Sequence, residues 1–140
     1  MRILVIDDEP DVLLLCRVNL EIAGHDVLEA GTGEQGLELA LLEDPDVILL
    51  DLMLPRRDGL SILADLNADD RTRRTPVILL TAKTRQEDRM AGWRAGCSAY
   101  VTKPFSPVAL TVTVDRIHAM SAEERREHRD RELGRLSRTT

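Results

Sequence analysis

Apolar residues along this chain follow two alternating patterns. Short unbroken runs end in a polar residue, and each run is followed by a stretch with helical spacing. Ile3-Leu4-Val5-Ile6 is the first run and ends in Asp7-Asp8-Glu9, then Pro10. Proline suits a first helical turn and acids there suit the helix dipole, so a helix is expected from there to about Ala23, with Gly24 as its stop. At about 100° per residue, Val12, Cys16, Leu20 and Ala23 share its inner face, with Leu15 at the edge. Asp26 to Ala30 alternates like a half-buried strand. Thr32-Gly33-Glu34-Gln35 reads as a capping box opening a helix with Leu37, Ala40 and Leu41 inward.

The second half repeats the scheme. Val47-Ile48-Leu49-Leu50 is a fully apolar run ending in Asp51. It precedes a turn with Pro55 and Gly59 and a helix from about Asp58 to Asn67 carrying Leu60, Leu63 and Leu66. A polar loop from Ala68 to Thr75 leads to Pro76-Val77-Ile78-Leu79-Leu80-Thr81, another buried strand. Thr84-Arg85-Gln86-Glu87 reads as a second capping box, and Gly96 ends its helix. Ser98 to Thr102 is a short strand. Ser106 caps a last helix with Pro107 at its first position, despite the strand-like composition of Leu110 to Val114. Five βα units predict a mostly parallel sheet with helices on both faces. From residue 121 to 140 the composition is Glu, Arg, Asp and His, with only Leu133 and Leu136 apolar. This reads as a charged helical extension or linker without a core, a solvated or frayed helix supported by Glu–Arg pairs.

Composition narrows the function classes. The 140 residues have the length of one domain, 43% hydrophobic and 31% charged. A formal net charge of -6 and 2% aromatics leave no footprint for binding nucleic acid. The two cysteines, Cys16 and Cys97, stand in no metal-type spacing and read as reduced core thiols of a cytoplasmic protein. The opening Met1-Arg2-Ile3 is not a signal peptide, and no apolar run approaches membrane-spanning length. His25, His118 and His128 lie in no donor-like context and are expected to be solvated.

In a parallel sheet the strand carboxyl ends share one edge, where open α/β sheets place ligands. Asp7 and Asp8 follow the first strand, Asp51 the third, Thr81 the fourth and Lys103 the fifth. Two carboxylates about 5 Å apart repel by roughly 3 kcal/mol at an effective dielectric near 20. A hard divalent cation relieves that, and Mg²⁺ beside a phosphoryl group is a common use of so few carboxylates.

Four segments together resemble the receiver domain of two-component response regulators, over about Met1 to Met120. They are Val5 to Glu9, Asp51 to Gly59, Leu80 to Lys83, and Tyr100 to Phe105. The resemblance implies a flavodoxin-like doubly wound α/β fold, its five parallel strands ordered 2-1-3-4-5. It implies Asp51 as phosphoacceptor from a sensor histidine kinase or histidine phosphotransfer domain. It further implies Mg²⁺ held by Asp8, Asp51 and the Met53 carbonyl, with Asp7 acting through water. Lys103 would balance phosphoryl charge and Thr81 donate its hydroxyl, with the Lys103–Pro104 peptide cis. Thr81 and Tyr100 would switch the surface of the fourth helix, fifth strand and fifth helix, and so control a partner or output domain.

Two departures bear on partners. Ser98-Ala99 and Val108 to Thr113 stand where dimerising relatives carry acids and an arginine-rich helix, which argues against a charge-paired dimer. Leu14, Val18 and Ile22 form a second apolar stripe on the first helix, read here as a partner surface. A pseudo-receiver that binds partners without phosphate is the alternative, opposed by retention of all five site residues. A phosphohydrolase would need an acid at position 53, where Met53 stands.

Overall fold

A computed structural model describes residues 1–138. In chain order the elements are β1 Arg2–Ile6, α1 Pro10–Ile22, β2 Asp26–Ala30, α2 Gly33–Glu43, β3 Val47–Leu50 and α3 Gly59–Ala68. They continue with β4 Val77–Thr81, α4 Gln86–Arg94, β5 Ala99–Thr102, α5 Pro107–Ala119 and α6 Ala122–Arg138. The strands form one sheet in the order β2-β1-β3-β4-β5, every pair parallel. The runs without polar interruption, in β1, β3 and β4, occupy its centre, as burial on both faces requires.

Alternation along the strands sorts side chains into two cores. Leu4, Ile6, Ile48, Leu50, Val77 and Leu79 meet Ile62, Leu63, Leu66 and Trp93 on the face covered by α2, α3 and α4. Ile3, Val5, Val47, Leu49, Ile78 and Leu80 meet Cys16, Leu20, Leu110, Val114 and Ile117 on the α1 and α5 face. The strand-like stretch of α5 is helical because Ser106 Oγ accepts from the Ala109 N–H and Pro107 starts the turn. Thr111 and Thr113 satisfy their hydroxyls on the carbonyls four residues back.

Several expectations need correction. The inner face of α1 is Val12, Leu13, Cys16 and Leu20, while Leu15 and Ala23 are exposed. The inner face of α2 is made by Gly33, Gly36 and Ala40, with Leu37 packed half-buried against the core as expected, while Leu41 points outward. A Cβ on Gly36 would lie 2.5 Å from Ile6 Cδ1, so a small residue is what lets the helix sit there. Thr32 caps α2 as expected, but Thr84 is not the cap of α4: Arg85 is its N-cap and gives no side-chain cap bond.

Over its described residues the charged tail is helical and packed along one side rather than solvated all round, residues 139 and 140 lying outside the described residues. Helix α6 packs on α4, Leu136 is buried in the core with Trp93, and Arg129 Nε donates to the Cys97 carbonyl at 3.1 Å. His128 is not solvated either: it meets Trp93 edge-on at 5.4 Å. Half-buried His25 bridges the terminal amine, 3.2 Å away, and Asp115 at 3.1 Å. His118 is exposed, as expected. Both cysteines are free and buried.

Candidate functional site

The ladder register brings the acids together. Ile6 pairs with Leu50, so the residues that follow, Asp7 and Asp51, leave the sheet side by side. Each is still held by the ladder: the Asp7 N–H donates to the Ala30 carbonyl and the Asp51 N–H to the Ile6 carbonyl, both at 3.0 Å. Thr81 pairs with Thr102, the last residue of β5, and Lys103 follows it. Its N–H donates to the Thr81 carbonyl at 2.9 Å, and the Lys103–Pro104 peptide is cis.

From there the Lys103 ammonium reaches Asp7 Oδ2 at 2.7 Å, Asp51 Oδ2 at 3.1 Å and Glu9 Oε1 at 3.2 Å. Asp7 and Asp51 are buried; Asp8 and Glu9 are exposed. One carboxylate oxygen from each of Asp7, Asp8, Glu9 and Asp51 lies within 4.8 Å of every other. Glu9 is the member that sequence reasoning missed as a site residue. Its place on the strand-end acidic run was the available signal.

The backbone holds the other oxygen of each buried carboxylate. Asp51 Oδ1 accepts from the Met53 N–H and Asp7 Oδ1 from the Glu9 N–H, each at 2.9 Å. Burial raises the Asp7 pKa, with the Asp51 charge adding to it, while the bonds from Lys103 and the Glu9 N–H pull it down; the net shift is upward. Burial alone would lower the Lys103 pKa, but its bonds to Asp7 and Asp51 and their charges hold it above its ordinary value. The ammonium therefore stays charged.

The loop after β3 is pinned from both ends. Asp58 caps α3 by accepting from the Leu60 N–H at 2.9 Å. Arg57 ties the loop outward to Glu34 at 2.9 Å and Asp65 at 2.8 Å. At Gly59 a Cβ would stand 2.4 Å from the Asp51 carbonyl oxygen and 2.6 Å from Leu52 Cα. Backbone on both contacts cannot yield, so only glycine lets α3 start this close to Asp51.

Thr81 is fully buried, and its Oγ1 accepts from the Lys83 N–H at 3.3 Å. The Lys83 carbonyl accepts from the Tyr100 hydroxyl at 2.7 Å. Burial, then the charge of Asp88, pushes the Tyr100 pKa up to about 12, so this group remains a donor. Lys83 thus joins the two expected switch residues through its own backbone.

Four carboxylates face one ammonium among the described residues, all donors hard oxygens. That donor set fits Mg²⁺. The profile of the response regulator receiver domain matches residues 3–115. The chain belongs to that family. Receiver domains are signalling phosphoacceptors, and this response regulator receiver has the doubly wound order expected of one.

The receiver is 46% identical over 104 residues to the DNA-binding dual master transcriptional regulator RpaA of Synechocystis, covering 74% of this chain and 43% of that protein. It is 37% identical over 118 residues to Protein PilH of Pseudomonas aeruginosa, covering 84% of this chain and 98% of PilH. Chemotaxis protein CheY4 of Vibrio cholerae superposes on it with a TM-score of 0.79 at 28% identity, covering 83% of this chain and 97% of CheY4. The chain spans about half the length of the transcriptional regulators it matches and nearly all of PilH. Among the described residues no helix is long and apolar enough to cross a membrane.

Proposed function

We propose that Asp51 accepts a phosphoryl group from a phosphohistidine of a sensor kinase or histidine phosphotransfer domain. The observation that carries this is the posture of Asp51: buried, with Oδ1 held by the Met53 N–H and Oδ2 by Lys103. A carboxylate oxygen attacks phosphorus, the phosphorus–nitrogen bond breaks, and the imidazole leaves with the electron pair. Lys103 offsets charge on the phosphoryl oxygens, and the Thr81 hydroxyl donates to one of them. Asp8, Asp51 and the Met53 carbonyl would hold Mg²⁺, with Asp7 behind them. The bound ion supplies positive charge beside the transferring group. The only reactions catalysed are the domain's own phosphotransfer and dephosphorylation.

In this reading the receiver unit spans 1–120, and 121–140 is its charged extension. The protein works in the cytoplasm and binds no nucleic acid itself, consistent with its net charge of -6. Phosphorylation acts through Thr81 and Tyr100 on α4, β5 and α5, and so on a downstream effector. Leu14, Val18 and Ile22, which are 60%, 46% and 80% exposed, form the face of α1 offered to the phosphodonor. Leu14→Glu with Val18→Glu is expected to slow transfer from a cognate phosphodonor at least tenfold while leaving reaction with acetyl phosphate unchanged. Equal rates from the protein donor would remove this surface from the account.

Intact mass after incubation with Mg²⁺ and acetyl phosphate tests the main reading. One labile phosphoryl adduct is expected, absent from Asp51→Asn.

A further inference from the structure

Helix α6 lies on the face that the proposed switch would move. One stripe of it, Arg125, Arg129, Leu133 and Leu136 at spacings of four, four and three, faces the domain. Arg125 donates to the Met120 carbonyl at 2.6 Å and Arg129 to the Cys97 carbonyl at 3.1 Å. Leu133 is half-buried against the core and Leu136 is buried in it. Between them on the same side, His128 meets Trp93 of α4. Gln86, the first residue of α4, donates through Nε2 to the Leu136 carbonyl.

The ground under α6 is itself lightly held. Helix α4 buries only Gly92 and Trp93, and its N-cap Arg85 gives the helix no side-chain cap bond. The chain leading into it runs from Thr81 through Lys83, whose N–H is bonded to Thr81 and whose carbonyl is bonded to Tyr100. Tyr100 in turn packs on Gly92, where a Cβ would stand 3.0 Å from its ring. A cavity of about 270 Å³ beside α6 is walled by Tyr100, Val101, Thr113, His128 and Glu132 among others, which leaves room for that wall to shift.

We propose that α6 is an intramolecular ligand of the α4–β5 face, released by phosphorylation of Asp51, which uncovers that face. This rests on the phosphoacceptor reading. Two bonds link the site to α6: the one Thr81 accepts from Lys83, and the one Gln86 donates to the Leu136 carbonyl. A phosphoryl group that draws the Thr81 hydroxyl toward Asp51 strains the first of these bonds, shifts residues 82 to 86, and disturbs the second. One buried leucine and a few polar bonds order seventeen residues, a docking that a modest coupling can reverse.

The test uses the full chain with Mg²⁺ and acetyl phosphate, with intact mass recording the adduct and amide exchange followed through residues 122–138. Phosphorylation is expected to speed exchange in α6 about tenfold or more. Phosphorylation is also expected to weaken binding of a fluorescent peptide of residues 121–138 to the Leu136→Glu variant, because the strained seat rejects the same stripe whether tethered or free. Full-chain Leu136→Glu is expected to bind the peptide without phosphorylation; if it does not fold, His128→Ala with Arg129→Ala takes its place. An adduct with unchanged or slower α6 exchange overturns this proposal and leaves the phosphoacceptor reading intact. Peptide binding no tighter to the released variant than to wild type overturns it too. Failure to form any adduct overturns both.

Discussion

The Lys103 ammonium stands 3.1 Å from Asp51 Oδ2, a bond between the end of β5 and the end of β3. It also holds Asp7 at 2.7 Å, so one cation serves two buried carboxylates from different strands. The sheet alone brings Asp7 and Asp51 side by side, which is electrostatically unfavourable. Lys103, held by its N–H bond to Thr81, is what makes the arrangement tolerable.

Replacing Lys103 by Met removes that compensation and leaves two buried acids facing each other. Breaking a buried ion pair from one side costs about 3–5 kcal/mol. Urea unfolding at neutral pH is expected to show a loss of about 3 kcal/mol, partly restored by Mg²⁺. Unchanged stability without metal would mean that the carboxylates do not depend on Lys103.

Asp7 gives a prediction with a definite sign. Its folded-state pKa is raised, chiefly by burial, so folding disfavours its charged form. A raised pKa contributes stability that is full below the unfolded value of about 3.9 and lost as pH rises through the folded value. Asp7→Asn is therefore expected to be more stable than wild type at pH 7 without metal, and the advantage to shrink toward pH 4. Denaturant midpoints at the two pH values check this. A variant less stable at pH 7 would show that the bonds from Lys103 and Glu9 outweigh burial.

Gly59→Ala places a methyl group against the Asp51 carbonyl and Leu52 Cα. Overpacking of this kind costs about 1–3 kcal/mol, and here the displaced backbone carries Asp51, the proposed phosphoacceptor. Both stability and the rate of phosphorylation by acetyl phosphate are expected to fall together. A variant with full rate and full stability would show that the turn has slack which the geometry does not show.

Much of this was legible because the central strands are apolar runs and each candidate site residue sits at or just past the end of a strand. A run of Val, Ile and Leu fixes a central strand, and parallel order then assigns its carboxyl end to the shared edge. What was not legible depended on partners distant in sequence. The tail looked solvated because Arg125 and Arg129 carry charge, yet they satisfy it on the carbonyls of Met120 and Cys97. Leu136 finds a core only because Trp93 is there to receive it. Leu41 seemed to belong inside α2 by its apolarity, but contact is made by Gly36 under Ile6, where smallness decides. The cap expected from Thr84 failed because the helix begins at Gln86, and Thr84 instead offers its carbonyl to Arg89.

The central claim is that Asp51 is where phosphate is carried. Its most direct test is to phosphorylate the full chain with acetyl phosphate and Mg²⁺, reduce the acyl phosphate with borohydride, and locate the product by peptide mass spectrometry. Reduction turns a phosphorylated aspartate into homoserine. The account predicts homoserine at position 51, and none when Mg²⁺ is withheld. Homoserine at position 7 or 8 with Asp51 unreacted, or labelling independent of Mg²⁺, would contradict it.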